Sequence, residues 1–131
     1  LPAIPWVLID ARRKKADFLA QALTLTGNQR ASAEHLRAGE AARRAPVLHR
    51  RAQLVVARAV GQAAFLLEES AALLAKKGHL IIAKGPEYSE DEHQTALKSA
   101  RRLGFRHVST AAVQLEASDA ERLLIIWQRA P

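Results

Sequence analysis

Two residue types are missing from the sequence altogether. Its 131 residues include no cysteine and no methionine. Without cysteine there is no disulfide framework, no zinc–cysteine site and no thiol nucleophile. The lack of methionine, even at position 1, suggests a processed chain or an excised piece. No stretch reaches the roughly 20 apolar residues of a membrane helix. The opening LPAIPWVLID carries no basic segment ahead of its apolar stretch and so does not read as a secretory signal. The expectation is a soluble, cytoplasmic protein with no membrane partner.

What is present is an ordinary globular balance, 49% apolar and 25% charged residues, at a length that suits one domain rather than two. The formal charge is +7 and the sequence pI about 10.6. Such a surplus points to a polyanionic partner, nucleic acid before membrane, with a merely soluble basic protein as the alternative. Arginine outnumbers lysine, which suits phosphate and guanine edges, although GC-rich coding produces the same bias.

Apolar runs and helical periodicities alternate along the chain. Residues 4–9 (IPWVLI) read as a buried strand ending at Asp10, and residues 12 to about 25 as a helix stopped by Gly27. Residues 29–33 make a weak strand candidate, and an alanine-rich helix is expected from Glu34 to about Arg44. Pro46 breaks the pattern, and His49, Arg50 and Arg51 form a basic loop. LVVA at 54–57 is a strand, 62–75 an amphipathic helix closed by Gly78, and HLIIA at 79–83 a strand. After a turn at Lys84, Gly85 and Pro86, a helix runs from about Ser89 to Leu103, with Ser89 and Glu92 spaced as a capping box. Strands follow at 106–115 and 122–128. Strands separated by helices require crossovers, hence an α/β fold with a mostly parallel sheet and helices on both faces. The final two strands lack an intervening helix and should pair antiparallel at the sheet edge.

Such sheets bind ligands beyond the carboxyl ends of their strands. Asp10 stands there, able to accept from a ribose diol or to cap the following helix. Ala33 leaves room for a flat base, and Glu34 is either an acceptor for an exocyclic amine or a first-turn acid favoured by the helix dipole. Arg58, directly after a buried strand, either faces the cleft or pairs with an acid. Arg12, Arg13, Lys14 and Lys15 oppose the dipole at a helix start, which suits phosphate contact or a solvated face. The five histidines show no metal-ligand spacing, and no Ser-His-Asp set or carboxylate pair suggests a hydrolase.

The runs VLIDARRKKADFL, ASAEHL, HRRAQLVVARAV and LLAKKGHLIIAKGP, in this order and spacing, resemble the bacterial 16S rRNA guanine-N7 methyltransferases, also called glucose-inhibited division protein B. The resemblance covers essentially the whole chain. It implies a class I, Rossmann-like methyltransferase fold with an antiparallel last strand, S-adenosyl-L-methionine as cofactor, and 16S rRNA or the small ribosomal subunit as partner. By position it implies that Asp10, Ala33, Glu34 and Arg58 meet the cofactor. It likewise implies that Lys84, Gly85 and Pro86 lie at the substrate entrance, while the basic run Arg12, Arg13, Lys14 and Lys15 is the candidate for further RNA contacts. No residue is assigned a catalytic acid or base role. Guanine N7 carries a lone pair and no proton, so positioning suffices.

The family places a first strand and a glycine-rich loop upstream of where this sequence begins. The expectation is therefore a single partial domain over residues 1–131, its first strand missing from between the strands ending at Asp10 and Ala57. Such a chain is not expected to hold cofactor well unaided. The alternative is a non-catalytic basic RNA-binding remnant of the same fold. A nucleotide-dependent oxidoreductase half is disfavoured by the absent glycine fingerprint and the antiparallel ending.

Overall fold

The computed structural model describes residues 4–58, 61–114 and 121–131. The chain opens with β1 (Trp6–Asp10), α1 (Arg13–Thr26), β2 (Ala31–His35) and α2 (Ala38–Arg44). A 3-10 turn at Pro46–Leu48 leads to β3 (Ala52–Arg58), α3 (Ala63–Ala71), β4 (Leu74–Lys84), α4 (Glu90–Leu103), β5 (Phe105–Gln114) and β6 (Glu121–Arg129). Among the described residues no helix is long and apolar enough to cross a membrane.

The strands form two sheets rather than one. β1 pairs parallel with β2, and a second sheet has the order β3-β4-β6-β5. There β3 and β4 are parallel, while β6 runs antiparallel to both β4 and β5. The last two strands thus pair antiparallel at the edge, as their sequence predicts, with β6 on the inner side.

Side-chain alternation assigns the faces. Leu80, Ile82, Ile125 and Trp127 are fully buried with Leu67, Ala63 and Ala96, so α3 and α4 cover one face of the four-stranded sheet. Val55 and Ala57 of β3 pack against that same core. A smaller cluster of Ala41, Ala42 and Leu73 draws in Ile9 of β1 and Val55 of β3. Because Ile9 and Val55 both pack against this cluster, β1 and β3 present a common face to it. By alternation the opposite face carries Leu8, Asp10, Leu54, Val56 and Arg58. α1 packs against the two-stranded sheet on that opposite face, and its Ala20, Leu23 and Thr24 line an open groove together with Ala31 and Ala33. Helices therefore stand on both faces, but Leu54 and Val56 remain 40% and 56% exposed.

Three boundaries differ from the sequence expectation. Glu34 lies in β2, not in a helix, and α2 starts only at Ala38. ASAEH is a poor strand sequence, and it becomes one because β1 offers a matching edge, with Ile9 opposite Glu34 and Asp10 opposite His35. The helix expected through residue 75 ends at Ala71, because Leu74 pairs with Ala52 and opens β4. Gly78 consequently sits inside β4, beside a register irregularity. A Cβ there would lie 2.9 Å from the Ala75 carbonyl oxygen and 3.1 Å from that of Ala52, so glycine serves a crowded bulge and not a helix stop. The strand expected at 106–115 is β5, with Leu115 outside the described residues.

Candidate functional site

The candidate residues gather at the carboxyl ends of the strands. Asp10 closes β1, Glu34 and His35 close β2, Arg58 closes β3 and Lys84 closes β4. Asp10 Oδ1 accepts the Arg12 backbone N–H at 2.8 Å and stands 3.6 Å from Arg12 Nε. That backbone N–H, followed by the charges of Arg12 and Lys15, holds the carboxyl below its usual range. Among the described residues Oδ2 makes no bond, so one oxygen turns the chain into α1 while the other stays available. Both readings of Asp10 from sequence are thereby compatible.

Arg58 is exposed and has no ion pair or hydrogen bond among the described residues. It shares its face with Asp10, across the gap between β1 and β3. Glu34 points to the other face, the one shared with Ile9. Ala33 faces α1, along an open groove of about 420 Å³ that runs toward Gly27 and Asn28 and away from the strand ends. Asp10 and Arg58 are therefore brought to one side, and Ala33 and Glu34 are not brought together with each other. The ARAV run continues into Ala59 and Val60, which lie outside the described residues.

Arg12 caps α1 without a side-chain bond, and the first turn contains no acid. Arg13, Lys14 and Lys15 are exposed and unpaired among the described residues. These cations flank Asp10 at the same end of the molecule.

Lys84 behaves differently from the surface contact expected for it. Its side chain is only 10% exposed, with Nζ 2.9 Å from Glu92 Oε2. Nζ also donates to the Gly61 carbonyl at 3.0 Å. Glu92 Oε2 in turn accepts the Ala63 N–H at 2.8 Å. Lys84 is thus a brace joining β4, α4 and the start of α3, and its ammonium is turned away from bulk solvent. Gly85 and Pro86 do form the expected turn, closed by the Tyr88 N–H donating to the Gly85 carbonyl at 3.2 Å.

Comparison with known proteins fits this arrangement. The family model for rRNA small subunit methyltransferase G matches residues 1–124. The chain belongs to that family. Relatives named ribosomal RNA small subunit methyltransferase G include one from Lactobacillus acidophilus, 30% identical over 98% of this chain and 52% of its own length. Another, from Clostridium novyi, is 31% identical over 94% of this chain and 50% of its own length. The chain thus spans about half the length of the curated relatives it matches. Among solved structures, the [4+2]-cyclase SpnF superposes with a TM-score of 0.75 at 11% identity, over 98% of this chain and 68% of its own. The N-methyltransferase NodS from Bradyrhizobium japonicum superposes with a TM-score of 0.66 at 13% identity, over 97% and 74%. These likenesses establish the class I methyltransferase fold for this family member.

Sequence reasoning missed several members of the strand-end surface. Glu92 was assigned to a capping box, but only half of that box forms: Ser89 Oγ accepts the Glu92 N–H at 3.1 Å, while the Glu92 carboxylate turns inward to Lys84. A basic residue ending a buried strand and an acid in the next helix's first turn are the signal that would have suggested the pair. Beside it, burial and the Glu92 and Glu90 carboxylates push the Tyr88 phenol up to about 12. It stays protonated, with its oxygen 2.7 Å from His93 Nδ1. Among the described residues no group of three or more histidine, aspartate or glutamate side chains is placed to hold a metal ion.

Proposed function

We propose that the longer protein carrying these residues transfers a methyl group from S-adenosyl-L-methionine to N7 of a guanine in small-subunit rRNA. The observation that carries this reading is the family match over nearly the whole chain, on a class I fold whose strand ends bear Asp10 and Arg58 on one face. The uncommitted Asp10 Oδ2 suits the acceptor that a ribose diol requires, and the fit extends to Arg58, which is free to reach either cofactor or RNA. The cofactor supplies a sulfonium methyl. The guanine N7 lone pair needs no base, so the protein's task is to align the two and to exclude competing geometries. Arg12, Arg13, Lys14 and Lys15 supply phosphate contacts that hold an accessible guanine near the strand ends. The cytoplasm, where ribosomal subunits assemble, is the corresponding location.

Arg58→Ala in the full-length protein tests the site. Methyl transfer to small-subunit rRNA falls on the order of tenfold or more in kcat/KM, because an exposed, unpaired cation contributes to positioning and not to folding. An unchanged rate removes Arg58 from the site, and a lowered unfolding midpoint assigns it a structural role.

One observation favours a second reading for these residues alone. The gap separating Asp10 from Arg58 is unfilled among the described residues, which suits an RNA-binding scaffold without cofactor. Calorimetry of the 131-residue chain with S-adenosyl-L-methionine separates the two. Micromolar binding excludes the scaffold reading, and no binding with retained RNA affinity supports it.

A further inference from the structure

We infer that the amino end of the four-stranded sheet carries a second phosphate-binding surface, built on Arg50, Lys77, Arg106 and Arg129. It grips the backbone of a folded RNA at a distance from the strand-end site. The choice of RNA as the polyanion rests on the proposed function, whereas the presence of an anion site does not.

The four cations come from separate stretches of chain and are held together by main-chain contacts. The Arg50 N–H donates to the Ala72 carbonyl at 2.8 Å. Close by, the Arg129 guanidinium reaches the Leu74 carbonyl at 3.5 Å. The Lys77 N–H donates to the Ala130 carbonyl at 3.4 Å. Arg106 donates to Gln128 Oε1, and Gln128 Nε2 donates to the Lys77 carbonyl at 3.1 Å. Lys77, Arg106, Gln128 and Arg129 line an open groove of about 460 Å³ whose lining holds no acidic side chain. Arg51 and Lys76, both exposed, adjoin Arg50 and Lys77. None of these six cations makes an ion pair among the described residues. Burial, and then the neighbouring Arg50, lower the Arg129 pKa from its ordinary range. Like charges gathered without an acid repel one another, and a bound polyanion relieves that repulsion.

Backbone strain marks the same place. Among the described residues, only Arg50 and Lys77 have a left-handed backbone without being glycine, at φ 52° and 63°. That region favours glycine, yet both positions keep a long cation. Lys77 precedes the crowded bulge at Gly78, and bulges re-aim side chains. Two strained positions, both basic and both at one end of the sheet, point to side chains retained for what they contact.

Placement then selects the partner. The seven residues of β3 separate this end from Arg58 by about 20 Å. A base held near Arg58 does not itself reach Lys77, but a folded RNA presents phosphates across that span. Guanidinium forks match phosphate oxygens. None of the exposed large apolar residues lines the groove, which counts against a lipid surface.

The test uses the full-length protein and transcribed small-subunit rRNA, with affinity measured by titration across salt. Arg50→Gly and Lys77→Gly each remove a charge while easing the backbone, so the urea midpoint holds or rises. Each weakens RNA binding on the order of fivefold at physiological salt. Each also lowers the slope of log K against log salt by about 0.7 to 0.9. Lys77→Arg retains affinity and slope, and so does Lys98→Ala, at an exposed position on α4. In methyl transfer the two glycine variants raise KM for rRNA and keep kcat, because the surface is remote from the reacting atoms. The inference is overturned by unchanged affinity and slope in both variants, or by a midpoint that falls together with affinity. It is equally overturned if the variants lose binding to phosphatidylserine vesicles with RNA affinity intact. A protein that binds rRNA through these residues but transfers no methyl group defeats the proposed function and leaves this surface standing.

Discussion

At the scale of single residues, the strand ends separate groups that act outward from groups that hold the fold. Arg58, Arg13 and Lys14 are exposed and make no ion pair among the described residues, whereas His107 is drawn into an aromatic cluster. Its ring centroid lies 4.9 Å from that of His93 and 5.1 Å from that of Trp127, and its Nε2 stands 2.8 Å from Thr110 Oγ1. Burial, and then the neighbouring His93, lower its pKa below the ordinary 6.5. The unfolded chain therefore takes up a proton that the folded chain resists, and stability is lost as pH falls through the ordinary value. The urea midpoint is expected to decline between about pH 7 and pH 5 more steeply for the native chain than for His107→Asn. Equal slopes in the two proteins would show that the cluster does not sense pH.

At the scale of elements, the Lys84–Glu92 pair ties three of them together. With both side chains nearly buried, loss of one partner strands the other charge. Glu92→Gln keeps an acceptor for the Ala63 N–H but removes the charge, and is expected to cost about 3–5 kcal/mol. The double variant Lys84→Met/Glu92→Gln costs less than the sum of the single changes, because no lone charge remains. Strict additivity in denaturant unfolding would refute the coupling. This pair also shows why part of the site was illegible in the sequence. Lys84 in a KGP turn reads as a surface cation, and only the approach of α4 to the end of β4 converts it into a brace. Glu34 was misplaced for a similar reason. ASAEH lacks strand-forming side chains, and its state was decided by the neighbouring edge of β1. By contrast the placement of Asp10 and Arg58 at strand ends and the stop of α4 at Gly104 were legible, because apolar runs and a left-handed terminal glycine are local signals.

At the scale of the whole molecule, the +7 charge is not spread evenly in its effect. Lys84 is neutralised within the fold, while Arg13, Lys14 and Lys15 near Asp10 are exposed and make no ion pair among the described residues. If these residues hold phosphates, Lys14→Ala and Lys15→Ala each weaken binding to a single-stranded small-subunit rRNA segment. Each also reduces the slope of log K against log salt by about 0.7. An unchanged slope, measured by titration between low and physiological salt, would place the RNA elsewhere on the surface.

The sequence by itself determined the alternation of strands and helices, the antiparallel ending and the family, because these depend on periodicity and on ordered local motifs. Tertiary structure alone decided which strands share an edge, which face each strand-end residue occupies, and whether a charge meets water or another charge. Those outcomes depend on contacts between residues far apart in the chain, and no local pattern records them. The gap between β1 and β3 is the clearest case. Its two edges are 42 residues apart from Asp10 to Ala52, and Ile9 and Val55 are brought near each other only by packing against the cluster of Ala41, Ala42 and Leu73.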